Sequence, residues 1–304
     1  MKKFLLIDGY AMMFRAFYAV KFAPIHEGKP IGAVFGCATT ILQALEKFDP
    51  EFLVVAFDAR EKTFRHKMDK NYKAQRSKAP DEFIEQIPLV MEMIKSFGIS
   101  TLIKPGFEAD DIIGTLVKKA EKKDIESFIL SGDLDFLQLI SDKIHLAKFN
   151  GAQPLMYDRA LTFEKMGIYP EQIIDYKAVC GDSSDNYKGV GGIGPKTCVN
   201  LLTEYKTFEN IYKNLDKLKP KVREKLENDR DYAHHCKILA EIHTNVPVEF
   251  SLNEDNHFEL EPDNFHNFFN KVNFGSLHKR VHKLNNKDTQ EQESSPSGLQ
   301  ASLF

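Results

Sequence analysis

Nine carboxylates stand at positions from which they could collect on metal ions: Asp8, Asp58, Glu108, Asp110, Asp111, Asp133, Asp135, Asp182 and Asp185. Three of them close short apolar runs, FLLID at Asp8, FLVVAFD at Asp58 and SFILSGD at Asp133. The rest fall in tight groups. EADD sets Glu108 and Asp111 three apart on one helix face, with Asp110 beside them. GDLD puts Asp133 and Asp135 in one loop, and GDSSDN places Asp182 and Asp185 three apart at an expected helix start. Hard cations such as Mg²⁺ take oxygen ligands and keep several waters, so a set made only of Asp and Glu suits them. Two such ions can activate a water and stabilise the leaving oxygen of a phosphodiester. Acids at helix starts are more commonly caps and dipole partners, and any single pair reads that way. Gathering so many like charges at one edge without a cation is costly, however, so the set as a whole points to metal-assisted hydrolysis.

The elements that carry these acids follow from the patterning. Continuous β-branched-rich runs read as strands buried on both faces, as in a parallel sheet. Helical patterns lie between them at 31–48 and 82–97, and the alternation implies an α/β sheet with right-handed crossovers. Such sheets bind ligands outside the carboxyl ends of their strands, which brings the three strand-end acids to one edge. After about residue 160 the pattern turns mainly helical, with candidates at 170–179, 195–205, 217–227 and 228–241. A further apolar-periodic stretch at 262–284 is expected to return to the body. From Asn285 to Gly298 the chain is polar and aperiodic, the composition of a disordered tail.

Composition narrows the class. The chain has 304 residues, 42% hydrophobic and 28% charged, which is ordinary for a soluble globular protein. Its four cysteines show no CxxC or Cys/His pairing, which argues against structural zinc or a disulfide framework and fits a reducing cytoplasm. MKKFLLIDGY begins like a signal peptide, but its apolar stretch ends at Asp8 and reads as a first strand. No run approaches the roughly 18 apolar residues of a membrane span. The net charge of −3 averages over an uneven distribution. Residues 60–78 hold eight Lys/Arg against two acids, a local charge of +6, with Phe64 and Tyr72 interleaved. A charge run is usually a solvated helix face. Placed directly after Asp58, this one reads as a phosphate-tracking segment with stacking residues. GVGGIGPKT at 189–197 contains a GxGxxG in Gly189, Gly191 and Gly194, but no strand precedes it, and Pro195 stands where a P-loop needs Lys. It reads instead as a turn whose backbone N–H groups approach a phosphate, with Pro195 opening a helix and Lys196 adding charge.

The motifs LLIDGYAMMFRAFYA, VVAFDAREKTFRHKMDKNYKAQR, GFEADDIIGTLV, LSGDLDFLQLI and GDSSDNYKGVGGIGPKTC follow one another in this order. In that combination the chain resembles, from residue 4 to about 284, the 5′-nuclease domain at the N-terminus of bacterial DNA polymerase I, and more broadly the flap endonuclease family. The resemblance implies a PIN-like fold: a central, mostly parallel sheet flanked by helices, a helical arch, and a C-terminal helical helix–turn–helix subdomain that binds DNA. It implies a catalytic domain over 1–165 with the arch at 60–90, the DNA-binding subdomain over 166–284 and a tail over 285–304. Asp8, Asp58, Glu108, Asp110, Asp111, Asp133 and Asp135 would form the first metal cluster and its surroundings, and Asp182 and Asp185 would complete the second. Two Mg²⁺ ions are implied, with Mn²⁺ as a substitute. Arg15, Arg65, Tyr72, Lys73 and Arg76 match positions that contact or steer the scissile phosphate. The GVGGIGPK turn looks like the element that grips duplex DNA, in some members through K⁺. With no polymerase or proofreading sequence following, a freestanding, monomeric nuclease is expected, acting on 5′ flaps, nicks and RNA primers. Two rivals remain: a PIN-like ribonuclease, and a structure-specific DNA-binding protein without turnover.

The chain ends GLQASLF, and Gln300, Leu303 and Phe304 resemble the peptide that bacterial replication proteins insert into the sliding clamp. A short apolar anchor on a flexible tether gains from effective concentration. Deleting residues 300–304 is expected to abolish clamp binding in a pull-down or calorimetric titration and to leave cleavage of free flap DNA unchanged. Retained clamp affinity would sink the idea.

Overall fold

The structure is a computed structural model that describes residues 2–281 apart from 21–22, 150–152, 261 and 279. Gln300, Leu303, Phe304 and the expected tail lie outside the described residues. In chain order the strands are β1 (Lys3–Asp8), β2 (Ile25–His26), β3 (Lys29–Pro30), β4 (Phe52–Phe57), β5 (Ser100–Ile103), β6 (Glu126–Ser131), β7 (Ile144–Lys148) and β8 (Leu155–Tyr157). The first helices are α1 (Gly9–Ala19), α2 (Gly32–Phe48), α3 (Phe64–Met68), α4 (Asp81–Ile84), α5 (Ile87–Ser96) and α6 (Ala109–Glu121). Then come α7 (Arg159–Met166), α8 (Ile173–Cys180), α9 (Pro195–Tyr205), α10 (Phe208–Lys213), α11 (Pro220–Asn228), α12 (Arg230–Ala240) and α13 (Pro262–Lys271). The described residues form two compact units, one from residues 2–12, 50–80 and 101–257, the other from 13–49, 81–100 and 258–281.

The first unit is built on a six-stranded sheet in the order β5-β4-β1-β6-β7-β8. β1 pairs in parallel with both β4 and β6, β6 pairs in parallel with β7, and β8 closes one edge antiparallel to β7. β1 and β4 are apolar at nearly every position because both faces are covered. Ala109, Ile112, Ile113, Leu116 and Val117 of α6 share one core with Phe4 and Leu6 of β1 and Val54 of β4. The same core continues into Ile168, Ile173, Cys198, Leu202, Phe208 and Leu226. The change from strand-rich to helical sequence near residue 165 is therefore no break in packing. Between 60 and 80 the helix described is α3, five residues long, followed by turns through 70–75; the remainder of the span expected as an arch, 81–90, is α4 and the start of α5 and belongs to the other unit.

In the second unit α2 presents Val34, Cys37, Ile41 and Leu45, and α5 presents Val90, Met93 and Ile94, all buried. Phe97 stacks on Phe265 of α13 with ring centroids 5.9 Å apart. The helix expected over 82–97 is two helices here. Pro88 has no N–H to donate and its ring crowds the carbonyl four residues back, at Ile84, where α4 stops. Gln86 spans the break, donating from Nε2 to Glu82 O (2.9 Å) and accepting the Ala33 N–H on Oε1 (2.9 Å).

Candidate metal centre

Three strands stop at one edge of the sheet, and their acids stop with them. β1 ends on Asp8, Asp58 follows β4 by one residue, and Asp133 follows β6 by two. Chain order reverses between β1 and β6, where an open α/β sheet leaves its ligand crevice. Ser131 crosses that crevice, its Oγ donating to Asp8 Oδ2 at 2.8 Å, while the Ala11 N–H donates to Oδ1 at 3.0 Å. Asp58 Oδ1 accepts the Ala109 N–H at 2.7 Å, tying the end of β4 to the first turn of α6. Burial raises the Asp8 carboxyl to about 6, with the Asp58 charge adding to it. Burial and the charges of Asp133 and Asp8 push Asp110 well above the usual carboxylate range. Like charges thus gather at this edge, with Asp8 buried, Asp110 and Asp133 half-buried and Asp58 exposed.

A second group forms where α8 ends. Gly181 turns the chain at φ +80° and a short bridge joins Asp182 to Tyr187, with reciprocal hydrogen bonds of 2.8 and 3.0 Å. Asp135, Asp182 and Asp185 then offer oxygens that all lie within 4.8 Å of one another. Lys177 of α8 pairs its ammonium with both Asp135 and Asp182. Burial raises Asp135 to about 7, the neighbouring Asp133 adding to it against Lys177. A ligand set of three carboxylates with no His or Cys fits a hard divalent cation and suits a soft one poorly.

Between the groups lies a bridge of cations and hydroxyl. Tyr72 Oη reaches Glu108 Oε2 and Asp185 Oδ2, each at 3.1 Å. Lys73 Nζ donates to Glu108 Oε2 at 2.9 Å, and Arg76 Nη2 to Asp185 Oδ1 at 2.9 Å. Against the burial that would raise it, Glu108 is held below its ordinary range by Lys73 and Arg65. Lys73 takes a left-handed φ of +54°, and its N–H donates to Asp185 O at 3.0 Å, so the basic segment is tied by backbone to the second acidic loop.

Four residues expected at the metals or the phosphate stand elsewhere. Asp111 accepts Arg65 Nη2 and the His243 N–H on Oδ1 (both 2.8 Å), and Arg65 Nη1 (2.9 Å) and the Glu108 N–H (3.1 Å) on Oδ2. Two donors on each oxygen leave no lone pair for a cation, so Asp111 is a clamp. Arg65, expected to meet the scissile phosphate, is 2% exposed. Its remaining N–H groups go to Leu239 O, Glu241 O and, at 3.6 Å, toward Glu108 Oε2. Tyr72 is 3% exposed, so its ring is not offered to a base. Arg15 lies in the second unit, on α1, where Nη1 reaches Thr40 Oγ1 at 3.5 Å.

The glycine turn also divides. A Cβ at Gly189, where φ is +62°, would sit 2.3 Å from Gly181 N, so this glycine serves a close approach of the chain to itself. Gly191 is exposed, and its N–H donates to Asp229 Oδ2 at 2.7 Å. Gly194 precedes α9 with open space around it, and Lys196 is exposed in the first turn. Sequence reading missed Ser131, Lys177 and Asp229. Lys177 alone carried a signal, as a cation within IIDYKAVC five residues before Asp182.

Residues 3–167 match the family described as 5′-3′ exonuclease, N-terminal resolvase-like domain, and residues 168–264 its C-terminal SAM fold. The thermostable DNA polymerase I of Thermus aquaticus is 40% identical over 275 residues, which are 90% of this chain and 32% of that protein. The chain thus spans about a third of the length of the curated relatives it matches. Among solved structures, the phage T5 D15 flap endonuclease in complex with DNA and metal ions aligns with a TM-score of 0.67 at 22% identity, covering 94% of this chain and 98% of that one. The catalytic core of Rad2 with DNA substrate aligns at 0.59 and 18% identity, over 93% and 91%. These likenesses show the fold.

Arg65→Ala is expected to lower the free energy of urea unfolding by about 3–5 kcal/mol, because it strands a fully buried carboxylate. Arg76→Ala, at a half-exposed pair, is expected to lower it by less than about 1 kcal/mol. Equal losses would contradict the clamp. Protons compete with cations for Asp8 and Asp135, whose carboxyls titrate near 6 and 7. Mn²⁺ affinity is therefore expected to fall as pH drops from 8 to 6, with proton release on binding seen by calorimetry in buffers of different ionisation enthalpy. A pH-independent affinity would contradict it.

Proposed function

Because the chain belongs to the 5′-3′ exonuclease family, we propose that it hydrolyses phosphodiester bonds of DNA 5′ flaps, nicks and primer junctions, and of RNA primers, in replication and repair. The observation that carries the reading is the oxygen-only group Asp135, Asp182 and Asp185 beside the crowded acids Asp8, Asp58, Asp110 and Asp133 at the switch point of the sheet. Mg²⁺ ions held there, with Mn²⁺ as a substitute, would supply a nucleophilic water at neutral pH and neutralise charge on the transferring phosphate.

The chain's own residues have separable tasks. Ser131 and the Ala11 N–H orient the two oxygens of Asp8, and the Ala109 N–H orients Asp58. Lys177 holds Asp135 and Asp182 together, the two acids that would hold a cation with Asp185. Lys73 and Arg76 stand on the edge of the acids with their cations directed inward, where they meet the non-bridging oxygens of a scissile phosphate. Asp111, Arg65 and Tyr72 position Glu108 rather than touching substrate. The start of α9 with Lys196 grips the duplex, with the K⁺ that the resemblance implies as an added element of that turn. On this reading the protein works as a monomer in the cytoplasm, and Gln300, Leu303 and Phe304 tether it to a sliding clamp. No described helix is long and apolar enough to cross a membrane.

A 5′-labelled flap substrate is the test. Cleavage is expected with Mg²⁺ or Mn²⁺, none with chelator, and a loss of roughly a hundredfold or more in Asp133→Ala, since cation stabilisation of transition-state charge is worth several kcal/mol. Tight flap binding without cleavage under any metal would overturn catalysis in favour of a binding role, and preference for single-stranded RNA would favour the ribonuclease.

A further inference from the structure

The turn between Val190 and Ile193 contains an exposed amide held by an internal acid. Gly191 and Gly192 are both exposed, and water satisfies such groups without help from the protein. Yet the Gly191 N–H donates to Asp229 Oδ2 at 2.7 Å, and the Gly192 carbonyl accepts Lys225 Nζ at 2.8 Å. Both partners come from one place, the last turn of α11 and the residue that ends it. Asp229 also immediately precedes α12, where an aspartate ordinarily accepts an N–H of the helix's own first turn. It makes no such capping bond, although those amides lack intrahelical partners. The carboxylate thus forgoes its local task and reaches across to the glycine turn.

A carboxylate oxygen on a backbone N–H has the same charge-assisted geometry as a phosphate oxygen on that donor. The cations Lys188, Lys196, Lys225 and Arg230 flank the turn or its clasp in sequence, and all are exposed. We propose that Asp229 is an internal stand-in for phosphate: it occupies the Gly191 amide in the free protein, is displaced when the DNA backbone docks, and then swings to cap α12. The displaced bond and the new cap offset each other in part, so Asp229 sets how tightly duplex is held without closing the site. This rests on the reading that the glycine turn contacts duplex.

Anisotropy of a labelled nicked duplex, titrated in chelator so that nothing is cut, tests both layers. Asp229→Ala is expected to tighten binding about five- to tenfold, and Asp229→Asn, which keeps an acceptor for Gly191 without the charge, about two- to threefold. Glu227→Gln, an exposed acid two residues away, is expected to change it less than about twofold. Should Asp229→Ala melt early, Asp229→Asn carries the comparison. Unchanged or weaker binding in the Asp229 variants, or an equal gain in Glu227→Gln, overturns the proposal. Lys196→Ala separates the layers. If it weakens binding while the Asp229 variants bind no tighter, only the stand-in falls; if it changes nothing, the turn does not grip duplex and the stand-in falls with it.

Discussion

The buried fork between Arg65 and Asp111 is the contact on which the rest of the acidic edge depends. It joins α3, the start of α6, the last turn of α12 and the segment after it, since Arg65 also holds Leu239 O and Glu241 O and Asp111 holds the His243 N–H. A buried ion pair gains little over a packed apolar pair, because desolvation consumes most of its Coulomb energy. Its value is geometric. With both partners saturated the arrangement has one solution, and breaking either leaves a charge stranded in the core. The same fork fixes Glu108, through the Asp111 contact to its N–H and the Arg65 charge near its carboxylate.

Around that fixed point the protein manages an excess of negative charge. The charge of Asp58 adds to the proton affinity of buried Asp8, and those of Asp133, Asp8 and Asp58 to that of Asp110, as Asp133 does for Asp135. Lys177 relieves one pair and Lys73 with Arg76 the other, so the cations of the chain stand among the carboxylates where divalent ions would do more. Asp8, Asp58, Asp110, Asp135 and Asp185 are thus strained toward protonation, chiefly by burial and further by like charges close by. Of the basic segment read as a phosphate track, Arg65 and Tyr72 are buried and Lys73 is half-buried among the acids, while Arg60, Lys62, Lys67, Lys70, Arg76 and Lys78 stay exposed.

Placement of the edge follows from topology. Because β1 lies between β4 and β6 and the chain reverses direction of growth there, the ends of three strands open on one crevice. Short loops after each strand then suffice to deliver Asp58, Asp133 and Asp135, and α6 brings Asp110 on its first turn.

Much of this was legible in the order of residues. Apolar runs ending in an acid marked β1, β4 and β6, because strands buried on both faces must be continuous in hydrophobicity. β5, exposed along STLI, and the three-residue β8 carried no such signal. The break in the expected 82–97 helix was written at Pro88 and went unread. Which acids belong to the edge was likewise indicated by motif order and residue type, but among the cations Lys177 was not, and Arg15 lies in the other unit. What each does was decided by tertiary structure alone. Asp110 and Asp111 are neighbours of identical chemistry, but Asp111 meets donors 46 and 132 residues away that fill its lone pairs, while Asp110 meets other carboxylates. Ligand capacity is a matter of which lone pairs remain unfilled, and that depends on partners whose approach only the fold defines.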